Sequence, residues 1–224
     1  MRHAPYADRE DAGRKLAAEL SRFRNDNPIV LALPRGGVPV AWEVARELNV
    51  PLEVWVARKI GAPFQPELGI GAISEGGATW INRQLAGWVG ASEEDISQVA
   101  EEEARELERR VRVYRANRPV PEVKGRTVIL VDDGIATGGT MRAAIASLKA
   151  RRPGRLIVAV PVAPPETVEE LEREVDEVIA PEQPQDLMAI GLWYRDFHQT
   201  SDEEVLELLG RAQPEQAPVP APGA

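Results

Sequence analysis

Residues 127–140 read TVILVDDGIATGGT, and the rest of the chain arranges itself around them. The apolar run Val128–Val131 suits a strand covered on both faces of a parallel sheet. Asp132 and Asp133 then fall at its C-terminal end, where open α/β sheets bind ligands. Ala136, Thr137, Gly138, Gly139 and Thr140 follow, small residues that allow a ligand close to the backbone. A helix is expected next, with Met141, Ala144, Ile145 and Leu148 on one apolar face. Its first N–H groups have no partner inside the helix and carry partial positive charge, which suits a phosphate. One element thus offers acceptors for hydroxyl groups and, a few residues later, donors for a phosphate. A sugar phosphate has both.

Other readings of the stretch fail or stay bland. No Gly-Lys-Ser/Thr follows the glycines, so it is not a Walker loop. The acidic pair precedes the glycines, whereas a dinucleotide fingerprint has its acid about 20 residues later. The alternating carboxylates and closing Glu of a calcium loop are missing. A plain tight turn after a strand stays open as the bland alternative.

VILVDDGIATGGT resembles the phosphoribosyl-pyrophosphate motif of the type I phosphoribosyltransferases. The pattern is an apolar strand, two acids, two variable positions, then a small residue, Thr, Gly, a small residue and Thr. The resemblance extends over roughly residues 29–180. It implies that 5-phosphoribosyl-1-pyrophosphate is the donor, with Mg²⁺ as cofactor. Asp132 and Asp133 would then accept hydrogen bonds from the ribose hydroxyls, and residues 136–140 would bind the 5′-phosphate. Mg²⁺ would be held mostly by pyrophosphate oxygens and water, with Asp132 contributing only indirectly.

Working outward, Ile29–Leu33 reads as a short apolar strand, followed by Pro34-Arg35-Gly36-Gly37 and a helix carrying Val40, Val44, Ala45 and Leu48. This repeats the strand, loop and helix-start layout. Arg35 brings a fork of donors suited to phosphate oxygens, although a solvated Arg in an ordinary turn has the same sequence. By the resemblance, Arg35, Gly36 and Gly37 form the pyrophosphate loop, with a strained or cis non-proline peptide near Arg35–Gly36. Leu52–Ile60 reads as the second strand. Arg58 and Lys59 lie at its end, either as plain surface charge or, for Lys59, as a contact to pyrophosphate.

Residues 61–81 are dense in Gly and Pro and contain two short apolar pieces, Ile70–Ile73 and Thr79–Ile81. A two-stranded ribbon is expected, within a lid insertion at about 61–91 that the resemblance would close over substrate. No basic residue occurs between Lys59 and Arg83, while Glu67 and Glu75 are acidic. Family transferases often place basic residues there. A second reading follows: a non-catalytic protein that senses phosphoribosyl pyrophosphate or a nucleotide.

The flanking segments are more ordinary. Residues 8–24 read as an amphipathic helix, and residues 92–116 as a long helix whose Ser92 and Asp95 resemble a capping box. Residues 155–162 and 175–180 read as further strands, with a short helix after Pro164-Pro165, and Ser201 with Glu204 caps a final helix. Residues 181–200 break the alternation and gather Trp193, Tyr194, Phe197 and His198. His198 reads as a structural histidine. The three aromatics are either core or flap residues or, by the resemblance, candidates for an acceptor site in a small C-terminal hood.

The expected fold is therefore α/β: three layers, a mostly parallel sheet flanked by helices, with the lid insertion and hood. At 224 residues one domain over 1–211 is expected, with its core at 29–180, the hood at about 181–200 and a disordered Pro/Ala-rich tail over 212–224. A hydrophobic content of 43% is that of a soluble globular protein, and no apolar run approaches a membrane span. The cytoplasm is the default location. With no cysteine there is no disulfide, thiol chemistry or cysteine-based zinc site. A net charge of −9 argues against broad nucleic-acid binding. The expected partners are phosphoribosyl pyrophosphate and an acceptor such as a nitrogenous base, whose identity the residues do not encode. A homo-oligomer is compatible with all of this.

Overall fold

In the computed structural model, residues 5–116 and 118–212 are described. The expected tail lies outside them, apart from Ala212. A five-stranded parallel sheet carries the fold, in the order β2 (Leu52–Val54), β1 (Ile29–Ala32), β6 (Thr127–Val131), β7 (Arg155–Ala159), β8 (Glu177–Ile179). The apolar runs serve both faces. Val30, Ala32, Ile129, Val131, Ile157 and Ala159 point into one core with α1 (Arg9–Leu20) and α2 (Gly37–Leu48). Their neighbours Ile29, Leu31, Val128, Leu130, Leu156 and Val158 point into a second core with α5 (Gly139–Ala150) and α6 (Pro165–Glu172). This is the expected three-layer arrangement, and continuous apolar strands are what a sheet covered on both sides requires.

The chain leaves β1 toward β2 on one side, whereas β6 lies on the other, so strand order reverses between β1 and β6. Ligands of open α/β sheets lie at such a reversal, past the carboxyl ends of the strands. The loops after β1 and β6 meet there, joined by Leu33 N donating to Val131 O at 2.9 Å.

Four expectations change. The stretch Leu52–Ile60 is not one strand: β2 ends at Val54, and β3 (Ala57–Ala62) begins a separate sheet. The break is at Trp55, which is fully buried and donates through its indole N–H to Ser147 Oγ at 2.7 Å. A polar atom buried at that point demands a partner on α5, and the chain turns to supply it. The ribbon is three-stranded, in the order β3-β4-β5, with β4 (Gln65–Ser74) paired antiparallel to β3 and to β5 (Thr79–Ile81). It is followed by the short helix α3 (Arg83–Trp88). The first helix stops at Leu20 and tightens into a 3-10 turn over Ser21–Asp26. The cis peptide lies at Pro34–Arg35, one bond before the expected place.

The long helix is α4 (Glu93–Arg115), and Ser92 with Asp95 forms the expected capping box. Arg115 at its end is buried and grips Glu75 with two nitrogens, at 2.6 and 2.9 Å, while also donating to Val54 O at 3.2 Å. These contacts tie α4, β2 and the ribbon together where the chain passes between sheets. A final helix, α7 (Asp202–Arg211), packs Val205, Leu208 and Leu209 inward. Among the described residues, no helix is long and apolar enough to cross a membrane.

Candidate active site

The strand β6 delivers both acids to the sheet reversal. Asp133 N donates to Asp132 Oδ1 at 2.8 Å, which orients the first carboxylate. The loop after β1 presses against them from the other side. A Cβ added to Gly36 would fall 2.1 Å from Asp133 Oδ2, and one on Gly37 would fall 2.8 Å from Val131 O and 3.1 Å from Asp132 Oδ1. Gly36 and Gly37 are thus required by space, since any side chain would displace the acids. The Arg35 side chain, 27% exposed, reaches toward α7, with Nη1 3.5 Å from Asp202 Oδ1. Asp202 also accepts from the Tyr114 hydroxyl at 2.6 Å.

The small-residue loop after β6 leads directly into α5. Gly138 adopts φ +74°, a left-handed conformation that favours glycine, and stands as N-cap of α5. Thr167 Oγ1 donates to Ala136 O at 3.1 Å and holds the loop from α6. Ala136 and Thr137 are at the surface, and Thr140 is half-buried at the start of the helix. A cavity of about 580 Å³ opens beside Thr137, with Trp80, Arg83 and Arg142 in its wall. Trp80 of the ribbon lies against Gly139: a Cβ there would be 3.1 Å from the indole. The ribbon is therefore seated against the start of α5.

The electrostatics of the acids are uneven. Burial pushes the Asp132 carboxyl well above the usual carboxylate range, and the neighbouring Asp133 charge adds to it. Asp133 is also pushed up by burial, but Arg9 opposes that shift. Arg9 donates through Nε to Asp133 Oδ2 at 2.8 Å, and its Nη2 lies 2.8 Å from the same oxygen. It also donates to His198 O at 2.7 Å and stacks on the Phe197 ring at 3.9 Å. The sequence reading missed Arg9. Nothing local marks it, because its partner lies 124 residues away.

The aromatic edge is only partly open. Tyr194 is buried, donates its hydroxyl to Asp133 O at 2.5 Å and sits against the rings of Tyr6 and Phe197. Burial and the nearby Asp133 charge push its phenol far up, so it stays a donor. Trp193 packs beside Tyr6 and Tyr194, its backbone carbonyl accepting from Tyr6 N at 3.2 Å. Phe197 is 36% exposed and keeps a free surface. The segment around it thus joins the N-terminal residues to the acids. Lys59 is elsewhere: it stands on the ribbon and donates to Glu67 O at 3.1 Å. Arg58 is ion-paired with Glu103 on α4. Both moved off the strand end because β3 belongs to the second sheet.

Among the described residues, no group of three or more His, Cys, Asp or Glu could hold a metal ion. The donor set is an acid pair between two glycine-bearing loops. That fits an Mg²⁺ carried largely by phosphate oxygens and water better than one in a protein cage.

The sequence matches the phosphoribosyl transferase domain over residues 6–191. Two Mycobacterium tuberculosis proteins, from strains CDC 1551 and H37Rv, are provisionally named phosphoribosyl transferases and are 42% identical over 207 residues. The alignment covers 92% of this chain and 47% of each of theirs, so the chain spans about half the length of these relatives. Among solved structures, TT1426 from Thermus thermophilus is similar with a TM-score of 0.76 and 43% identity, over 91% of this chain and 97% of that one.

Proposed function

The chain belongs to the phosphoribosyl transferase domain family, and from that premise we propose that it transfers the phosphoribosyl group of 5-phosphoribosyl-1-pyrophosphate to a nitrogenous acceptor, releasing pyrophosphate. The observation that carries the reading is the meeting of two anion loops at one acid pair. Gly36 and Gly37 abut Asp133 and Asp132, and the 136–140 loop continues from the same strand. The 5′-phosphate would lie on the amides at the start of α5 and on the hydroxyls of Thr137 and Thr140. Asp132 and Oδ1 of Asp133 would accept from the ribose hydroxyls. Arg35 would face the pyrophosphate.

Transfer at ribose C1 develops positive charge on the sugar and negative charge on the departing pyrophosphate. This chain's part is then to hold the donor rigidly, with C1 open to the acceptor and the leaving group near Arg35. Bound Mg²⁺ would neutralise charge on the pyrophosphate oxygens. Phe197 is the aromatic with a free surface for an acceptor ring, while Tyr194 and Trp193 build the wall behind it.

A second reading keeps the donor site without transfer, so that the protein senses phosphoribosyl pyrophosphate. What favours it is Lys59, whose ammonium bonds the ribbon itself. One assay separates the two. Protein, donor, Mg²⁺ and a panel of bases are incubated and pyrophosphate release is followed. Transfer predicts release that depends on one base and drops roughly a hundredfold in Asp132→Asn/Asp133→Asn. Release unchanged by that double substitution overturns the site. Donor binding with no release on any base favours sensing.

A further inference from the structure

Arg9 is 8% exposed, and its guanidinium has several partners. Nε and Nη2 converge on a single oxygen, Asp133 Oδ2, while Nη1 reaches His198 O and the Phe197 ring covers the flat face. Gly36 leaves room for that same oxygen, since a Cβ there would lie 2.1 Å from it. Two Arg9 nitrogens therefore converge on Oδ2. No hydrogen bond from Arg9 reaches Oδ1, which has the Asp132 carboxyl as a neighbour of its group, and a Cβ on Gly36 would sit 3.3 Å from it. Arg9 thus holds the carboxylate by one oxygen, and the Asp133 side chain keeps 13% exposure.

Two adjacent carboxylates at a buried strand end resist ionising together, because each raises the cost of the other's charge. A guanidinium gripping one of them relieves that cost and fixes the plane of the group. We infer that Arg9 is a positioning residue for the donor sugar: it takes Asp133 Oδ2 so that Oδ1 alone faces a ribose hydroxyl. The inference rests on the proposed phosphoribosyl site. It adds a residue from outside the motif, on the first helix, which also links that site to the aromatic edge through His198 and Phe197. Tyr194 supports the same residue from behind by donating to the Asp133 carbonyl.

The full chain tests this with two probes, ribose 5-phosphate and its 2,3-dideoxy analogue, titrated by calorimetry. The wild type is expected to prefer the hydroxylated sugar about tenfold, the size of one charge-assisted hydrogen bond. In Arg9→Met the preference should shrink to about threefold or less, while affinity for the dideoxy analogue, which never meets Asp133, stays within about twofold. Arg9→Lys keeps the charge without the fork, and should recover part of the preference. Arg9→Gln replaces Arg9→Met if thermal unfolding shows the latter to be misfolded. Equal weakening of both probes would mean that Arg9 only supports the fold, and an unchanged preference would mean that Asp133 needs no holding. Either result overturns the inference. A wild type that does not distinguish the two sugars instead overturns the proposed donor site, and the inference with it.

Discussion

Asp132 and Asp133 share the end of β6 but not the same surroundings. Asp133 has a guanidinium on one oxygen, whereas Asp132 accepts from the Asp133 amide. The Asp132 carboxyl is raised by burial and by its neighbour's charge. A carboxyl raised above its unfolded value, about 3.9, holds more protons folded than unfolded. Its contribution is therefore favourable at low pH and is lost as pH rises from the unfolded value through the folded one. At neutral pH the ligand-free protein either ionises this group at a cost or keeps on it a proton that the unfolded chain would release. Asp132→Asn keeps the oxygen that accepts from Asp133 N and removes the charge. It should raise the melting temperature of the ligand-free protein at pH 7 by a few degrees, about 2–4 °C per kcal/mol for a chain of this size. The gain should fade below about pH 4. Melting curves at both pH values check the sign. The same substitution should cost activity, as expected where a site stores unfavourable charge for its ligand.

At the scale of elements, the junction between the two sheets is the informative feature. Trp55, Ser74 and Ser147 form a buried polar chain, with Ser74 Oγ 3.1 Å from Ser147 Oγ. Beside it Arg115 and Glu75 form an ion pair with side chains 5% exposed on both sides. Removing one member of such a pair leaves an uncompensated buried charge. Arg115→Met alone should destabilise the protein by about 3–5 kcal/mol. The double variant Glu75→Leu/Arg115→Met should be substantially less destabilised than the sum of its singles. Urea unfolding of the four proteins measures that coupling. An additive result would show that the two groups do not meet as described. The junction also explains why Lys59 stands within the ribbon and not at the end of a main-sheet strand. Once the chain crosses to the second sheet, the basic pair at its end travels with the ribbon, to Glu67 and Glu103.

At the scale of the whole molecule, β1 pairs with β6 so that Gly36 abuts Asp133, and Arg9 joins Asp133 to the segment around His198, so a ligand held by the proposed site should stabilise the folded chain. Phosphoribosyl pyrophosphate at a hundred times its dissociation constant adds about 2.7 kcal/mol by mass action. The melting temperature should therefore rise clearly with donor and Mg²⁺ together, less with donor alone and little with Mg²⁺ alone. A differential scanning fluorimetry series over these three conditions is sufficient, and a shift with Mg²⁺ alone equal to that with both would contradict a metal carried by the donor. This is a property of assembled loops. Ile29–Ala32 and Thr127–Val131 are far apart in sequence, and only their pairing brings Gly36 against Asp133.

Most of the fold was legible because its signals are local. An apolar strand buried on both faces writes itself as an uninterrupted run, and a phosphate loop must be small residues next to a helix start. Hence β1, β6, the acids, the glycine loops and the capped helix α4 could be read from neighbouring residues. What only the tertiary structure decided has a common cause: a buried charge or polar atom takes whichever partner packing brings near. That is how Arg9 reaches Asp133 across 124 residues, how Trp55 ends a strand by finding Ser147, and how Tyr194, which the sequence leaves between core and acceptor site, becomes a buried donor. The sequence alone determined that TVILVDDGIATGGT presents two acids at a strand end and a small-residue loop before a helix. The packed molecule determined that one of those acids is already held, and by what.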